Sequence, residues 1–181
     1  MTYPLAYYGN PILRSKAEPV TVFDSELRAL GENMVDTMDA ESGIGLAGPQ
    51  ISLSKRIFVM RVPQEMDVDL EGNPLNPDLT GPLVVVNPEI RNASQACDVV
   101  EEGCLSIPDV RGNVERPVEI VLAFQDVEGE SHELPLKGLA ARCAQHELDH
   151  LNGVLFIDYL SSVKKVAIKG KLKRIKASYS S

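Results

Sequence analysis

Residues 137–153 read KGLAARCAQHELDHLNG. Past Leu136 the residues favour a helix, with Leu139, Cys143 and Leu151 on a helical period and Gly153 as its stop. On that helix the run HELDH, residues 146–150, sets His146 and His150 one turn apart on one face. Two imidazoles then address one cation, and Glu147 flanks the same place. The chain has only 3 histidines, so two at this spacing carry weight. A solvated helix face is the plainer reading, and the apolar residues around the motif speak against it.

Two imidazoles do not complete a metal site. One class of zinc peptidase continues with a glycine and a third histidine; Gly153 fits the first place, but Phe156 stands in the second. Another class takes a downstream glutamate, and no glutamate follows Glu147. The third ligand is therefore sought upstream, among Cys104, Cys97, His132 and the carboxylates. Cys104, in EEGCLSIP, is preferred because a cysteine at a bend after Gly103 can swing its sulfur out of a strand. Cys97 sits among polar residues and His132 beside an expected turn at Glu128–Gly129, so both read as structural or surface groups. One thiolate and two neutral imidazoles leave a position for water, the arrangement of a catalytic site.

Outward from the helix, RIFVMRV, LVVVNPEI, a segment near Val99, VEIVLAFQDVEGE and SHELPL read as strands, with turns at Asn87-Pro88 and Glu128-Gly129. Residues 64–82 are rich in proline, glycine and acids and read as a long surface loop. Asp24 caps an N-terminal helix carrying Leu27, Leu30, Met34, Val35 and Met38. A basic amphipathic helix over about 162–178 sets Val163, Ile168, Leu172 and Ile175 inward. Strands in the middle with helices at the ends predict an α+β fold: antiparallel or mixed sheets packed around a central metal-binding helix. A chain of 181 residues suits a single domain, 1–181.

Charge and cysteine usage narrow the setting. All 26 acidic residues lie at or before Asp158, whereas 7 of the 18 basic ones fall between Lys164 and Lys176, within a net charge of −8. The acidic body repels DNA; the basic tail does not. The three cysteines form no short-range pair, and no basic leader or long apolar run is present, which predicts a cytoplasmic chain without disulfides or membrane spans.

Three motifs stand in one order: GIGLAGPQ at 43–50, EGCLS at 102–106 and QHELDH at 145–150. With YGNPILR near the start and the helical C-terminus, they make the chain resemble the bacterial type of peptide deformylase over nearly its whole length. The resemblance implies a metal-dependent hydrolase that removes the N-formyl group from the first methionine of new polypeptides and releases formate. It implies Cys104, His146 and His150 as ligands of one divalent ion, Fe(II) expected, with Ni(II), Co(II) or Zn(II) as substitutes. The ion would acidify a bound water, Glu147 would take its proton and return it to the leaving amine, and the Gln50 amide and Leu105 backbone N–H would stabilise the oxyanion.

Substrate contacts are implied for Gly43, Ile44 and Gly45, the last through its main chain, and for Glu102 and Gly103. Ile44, Val100, Leu139 and Cys143 would wall a methionine pocket with Arg142 as its polar rim, and Arg111 would hold the acids around Glu102 or the peptide carbonyls. The basic helix would dock on the ribosome near the nascent-chain exit. Two features depart from the family pattern: Gly48 replaces an alanine, which predicts a looser loop, and residues 64–82 are long. HELDH alone also suits an endopeptidase, or a metal-stabilised binding module without turnover. The missing downstream ligand opposes the first, and the second has no need of Glu147.

Overall fold

The computed structural model describes residues 1–179. Helix α1 (Ser25–Ala40) starts where expected: the Asp24 carboxylate accepts from the N–H groups of Glu26 and Leu27, both at 3.0 Å. Leu27, Leu30, Met34 and Met38 form its buried stripe and pack on Leu46, Ile57, Val59 and Val86. Beyond it, Ser42 adopts a left-handed conformation (φ 56°) and turns the chain into strand β1 (Gly45–Ala47). A 3-10 turn at Gly48–Ile51 leads to β2 (Ile57–Met60).

The remaining strands are β3 (Leu83–Ala93), β4 (Cys97–Cys104), β5 (Ile107–Pro117), β6 (Glu119–Gln125) and β7 (Ser131–Lys137). They form a five-stranded sheet in the order β1-β2-β3-β6-β7 and a separate β4-β5 ribbon, with every pair antiparallel. The α+β expectation therefore holds. The turn expected at Asn87-Pro88 does not: β3 runs straight through it with a register shift between Val86 and Glu89. Asn87 (φ 50°) makes the bulge, its side chain bonding the N–H and C=O of Val20 and the side-chain Oε1 of Gln125, each at 2.8 Å.

Helix α2 (Gly138–Leu151) lies against the large sheet, its Ala140, Ala141, Cys143, Ala144 and Leu151 packed on Phe58, Met60, Val85, Leu122 and Leu136. The loop at 64–82 helps to start it. Asn76 accepts from the Lys137 N–H at 2.9 Å and donates to the Lys137 carbonyl at 3.1 Å, and buried Asp67 holds Asn76 in turn. Gly153, with φ 73°, ends the turn after α2; a Cβ there would lie 2.6 Å from the Arg14 carbonyl oxygen.

Helix α3 (Ser162–Tyr179) covers a second cluster. Ile168 and Ile175 are buried and Leu172 partly so, against Ala6, Leu13, Ile107, Val110 and Phe156. Val163 is 81% exposed, so the inward stripe begins at Ile168 rather than at the first turn. Lys171 bonds the Asp109 carbonyl at 3.0 Å, and the Tyr179 ring stacks on Tyr7 with centroids 3.7 Å apart. Among the described residues no helix is long and apolar enough to cross a membrane.

Candidate metal centre

Two structural devices bring three donors together. Helical spacing sets His146 and His150 one turn apart, their ring centroids separated by 5.0 Å. Opposite them, the β4-β5 hairpin closes through the two residues Leu105 and Ser106, and a register shift between Gly103 and Cys104 re-aims the last side chain of β4. The Cys104 sulfur consequently lies 3.2 Å from His150 Nε2, and ligand atoms of Cys104, His146 and His150 all fall within 4.8 Å of one another. No other such group of His, Cys, Asp and Glu occurs among the described residues.

Buried atoms without partners point to the same place. Glu147 Oε2 and His150 Nδ1 are the buried side-chain polar atoms that make no hydrogen bond among the described residues. An orphaned carboxylate oxygen beside a thiol and two imidazoles fits a site built for a cation and a water. Thiolate with imidazole suits Fe(II), Ni(II), Co(II) and Zn(II) better than a hard ion such as Mg(II).

Glu102 organises the imidazole side. Its Oε1 accepts from Arg116 Nε at 2.6 Å and Arg142 Nη1 at 2.8 Å; its Oε2 pairs with Arg116 Nη2 at 3.0 Å and His146 Nδ1 at 2.9 Å. Burial alone would raise this carboxyl, but the hydrogen bonds from His146 and Arg116 outweigh it and lower it to about 2. As an ionised acceptor it makes Nδ1 the protonated nitrogen of His146 and leaves Nε2 free to ligate. Arg116 also reaches Asp149 at 2.9 Å and lies over the Tyr159 ring, which in turn bonds Asp149.

The glycine motif packs against Glu147. A Cβ on Gly45 would collide with Glu147 Oε1 and lie 2.9 Å from Cys143 Sγ, so no side chain fits there. Burial pushes the Glu147 carboxyl up to about 7, a value from which a group can both take and return a proton at neutral pH. A nearby cation pulls it the other way. Gln50 is 2% exposed: its Oε1 accepts from the Ala47 N–H at 2.8 Å, which turns Nε2 toward Cys104 Sγ (3.5 Å) and Ser106 Oγ (3.2 Å). Leu105 follows Cys104 directly. Gly48 does not loosen the loop, since a Cβ there would lie 2.7 Å from the Lys55 carbonyl oxygen.

The other residues singled out from sequence divide. Cys143 is buried and donates to the Ile44 carbonyl, and half-buried Ile44 packs on the same cluster. Leu139 is half-buried, Val100 is 41% exposed, and Gly43 bonds the Met38 carbonyl. Arg142 is no rim residue: it is 5% exposed and bonded to Glu102, Asp98 and the Val114 carbonyl. Arg111 does not hold Glu102 either; it is exposed and paired across the ribbon with Gly103. Arg116, which does hold Glu102, escaped the sequence reading, and its signal is the alternation Val110, Gly112, Val114, Arg116 on the buried face of β5. Cys97 is exposed and His132 pairs with Asp126 at 2.7 Å on the surface.

The geometry has matching relatives. The family model described as polypeptide deformylase matches residues 2–166. A peptide deformylase of Thermotoga maritima is 43% identical over 170 residues, covering 94% of each chain, and one of Rhizobium meliloti is 44% identical over 162, covering 90% of this chain and 87% of the relative. Among solved structures, the peptide deformylase of Ehrlichia chaffeensis superposes with a TM-score of 0.87 at 36% identity, covering 98% of both chains. That of T. maritima gives 0.79 at 42%, covering 89% of this chain and 99% of the other. A shared fold over nearly the whole length, with sequence identity at this level, makes the chain a member of the peptide deformylase family.

Proposed function

We propose that this chain, acting as one catalytic domain over residues 1–181, hydrolyses the N-formyl amide of formylmethionyl nascent peptides to formate and a free amine. The observation that carries the reading is the convergence of Cys104, His146 and His150 on one point beside the orphaned Glu147 oxygen. A divalent ion held by these three side chains supplies Lewis acidity, making a water nucleophilic near neutral pH. Fe(II) is the ion we assign, with Ni(II), Co(II) or Zn(II) as replacements. Every other part of the chemistry belongs to the protein.

Glu147 takes a proton from the attacking water as its oxygen bonds the formyl carbon. The same carboxyl returns that proton to the amine as the C–N bond breaks. The Gln50 Nε2–H, aimed toward Cys104, and the Leu105 backbone N–H donate to the oxyanion. Removing one such donor typically costs about 10²–10³ in rate. Among the described residues buried strand β1 has one strand neighbour, β2, so its other edge, at Gly45, lacks a strand partner and can pair main chain to main chain with a peptide of any sequence. Ile44, Val100, Leu139 and Cys143 then receive the methionine side chain, while Gly43, Gly103 and Arg111 frame the cleft; Glu102, buried and bonded to Arg116, Arg142 and His146, serves the imidazole ligand instead of the substrate.

Helix α3 carries seven exposed basic residues between Lys164 and Lys176 and no acidic one, which suits docking on a polyanionic ribosomal surface near the exit tunnel. Such a substrate places the enzyme in the cytoplasm. Formate release from a formyl-Met tripeptide, with metal content measured on the same sample, tests the central reading. Turnover proportional to bound metal is expected; a metal-loaded protein that releases no formate overturns it.

A further inference from the structure

We infer that Arg142 is a positioning residue for the metal centre, clamping the strand that carries the thiolate to the helix that carries the imidazoles, with Asp98 as the latch of that clamp. The inference rests on the metal reading above. Its starting point is the weakness of β4. Residues Cys97–Glu101 of this strand are exposed, and β4 pairs with β5 alone. It has almost no apolar surface to bury, yet it delivers both Cys104 and Glu102. What fixes it across α2 must be polar.

Arg142 meets that requirement. One turn before His146 on α2, it sends Nη1 to Glu102 Oε1 at 2.8 Å and to the Val114 carbonyl at 2.9 Å, and Nη2 to the Asp98 carbonyl at 3.1 Å and its carboxylate. One helical side chain therefore spans both strands of the ribbon. The arrangement also gives Glu102 a second guanidinium besides Arg116, so that each of its oxygens accepts twice. With the carboxylate immobilised, the His146 ring it bonds has one orientation. Glu102 and Arg142 are 6% and 6% exposed in this pair, so water does not screen it. Asp98, at 47%, sits at the outer end, where it can be altered without opening the core.

The test uses the full chain loaded with Co(II), whose thiolate and ligand-field bands report the coordination sphere. The measured quantities are those bands, the rate of metal loss to a chelator, and kcat and KM. For Arg142→Met we expect metal loss about tenfold faster or more, for Asp98→Asn about threefold, and for Arg142→Lys a value between parent and Arg142→Met. The bands should shift, and kcat should fall while KM stays within about twofold. Glu128→Gln, which removes an ion pair with Arg28 at the β6-β7 turn from a carboxylate as exposed as Asp98, should leave metal loss and bands unaltered. If Arg142→Met does not fold, Asp98→Asn decides. Parent-like metal loss and bands in Asp98→Asn and Arg142→Lys would overturn the inference, as would equal loosening by Glu128→Gln. A parent that binds no stoichiometric metal overturns the metal reading and this inference together; a parent that binds it and variants that keep it overturn the inference alone.

Discussion

Glu147 and Gly45 form the tightest constraint in the centre, because the carboxylate occupies the space a side chain at Gly45 would need. Gly45→Ala therefore displaces the carboxylate while leaving the three ligands in place. The expected result is a loss of about 10² in kcat/KM with metal content unchanged, measured by formate release and elemental analysis. Glu147→Gln keeps shape and removes the proton acceptor, so metal should stay bound while kcat falls by about 10²–10⁴. A metal-bearing Glu147→Gln protein at parental rates would remove Glu147 from the chemistry. At this scale the sequence was informative where partners are close along the chain. His146 and His150 are four residues apart on one helix, and their relation follows from helical geometry alone. Cys104 came from elimination and from its bend after Gly103. Arg116 gives no sign of its role and Arg142 reads wrongly as a pocket rim, because their shared partner Glu102 lies 14 and 40 residues away and only the register of the β4-β5 ribbon brings them together.

Elements explain how the centre is held. The segment between α2 and α3 returns to the N-terminal part of the chain through Asp158, which pairs with Arg14 at 2.6 and 3.0 Å and accepts from the Leu155 N–H at 2.9 Å. Partial burial raises this carboxyl, but Arg14 and the Leu155 N–H outweigh it and hold it below the usual carboxylate range. A depressed folded value stabilises the protein above the unfolded pKa near 4, and the benefit is lost as pH falls through the folded value. With both partners about 40% exposed, screening reduces the effect. Asp158→Asn should cost about 0.5–1 kcal/mol in denaturant unfolding at pH 7. The gap to the parent should close toward pH 3; an undiminished gap there would contradict the account. Helices with full apolar stripes, α1 behind its Asp24 cap and α2 without a side-chain cap, were legible to within a few residues. Strand β5 was not, because its buried Val110 and Val114 alternate with Arg111, Asn113 and Glu115, and a one-faced strand of that composition reads as a polar stretch. Asn87-Pro88 carries a turn signature that β3 instead uses for a bulge, a choice made by the Asn87 bonds to Val20 and Gln125 far along the chain.

The whole molecule has two jobs, to bury a core under α2 and to keep the Cys104 hairpin seated on it. Helix α3 serves the second from the far side, since Ile168 and Ile175 share a cluster with Ile107 and partly buried Cys104. Removing residues from 162 onward exposes that cluster. Fully burying one such side chain is worth about 1.5–3 kcal/mol, so truncation should lower unfolding stability by about 3 kcal/mol or more, read by denaturant titration of the apo protein. Ribosome co-sedimentation at low salt should fall with it if the basic face docks there; unchanged co-sedimentation would refute docking without touching the catalytic reading. The acidic body and basic tail were plain from the sequence, and so was the α+β class. The ribbon's separation from the main sheet was not, because it depends on which strands pair. All of these scales meet in one claim, that a hairpin sulfur and two helical imidazoles bind the same ion. X-ray absorption at the metal edge of the loaded protein tests it directly: the account predicts one sulfur and two imidazole nitrogens in the parent and loss of the sulfur signal in Cys104→Ser, whereas a sphere of nitrogen and oxygen alone in the parent would contradict it.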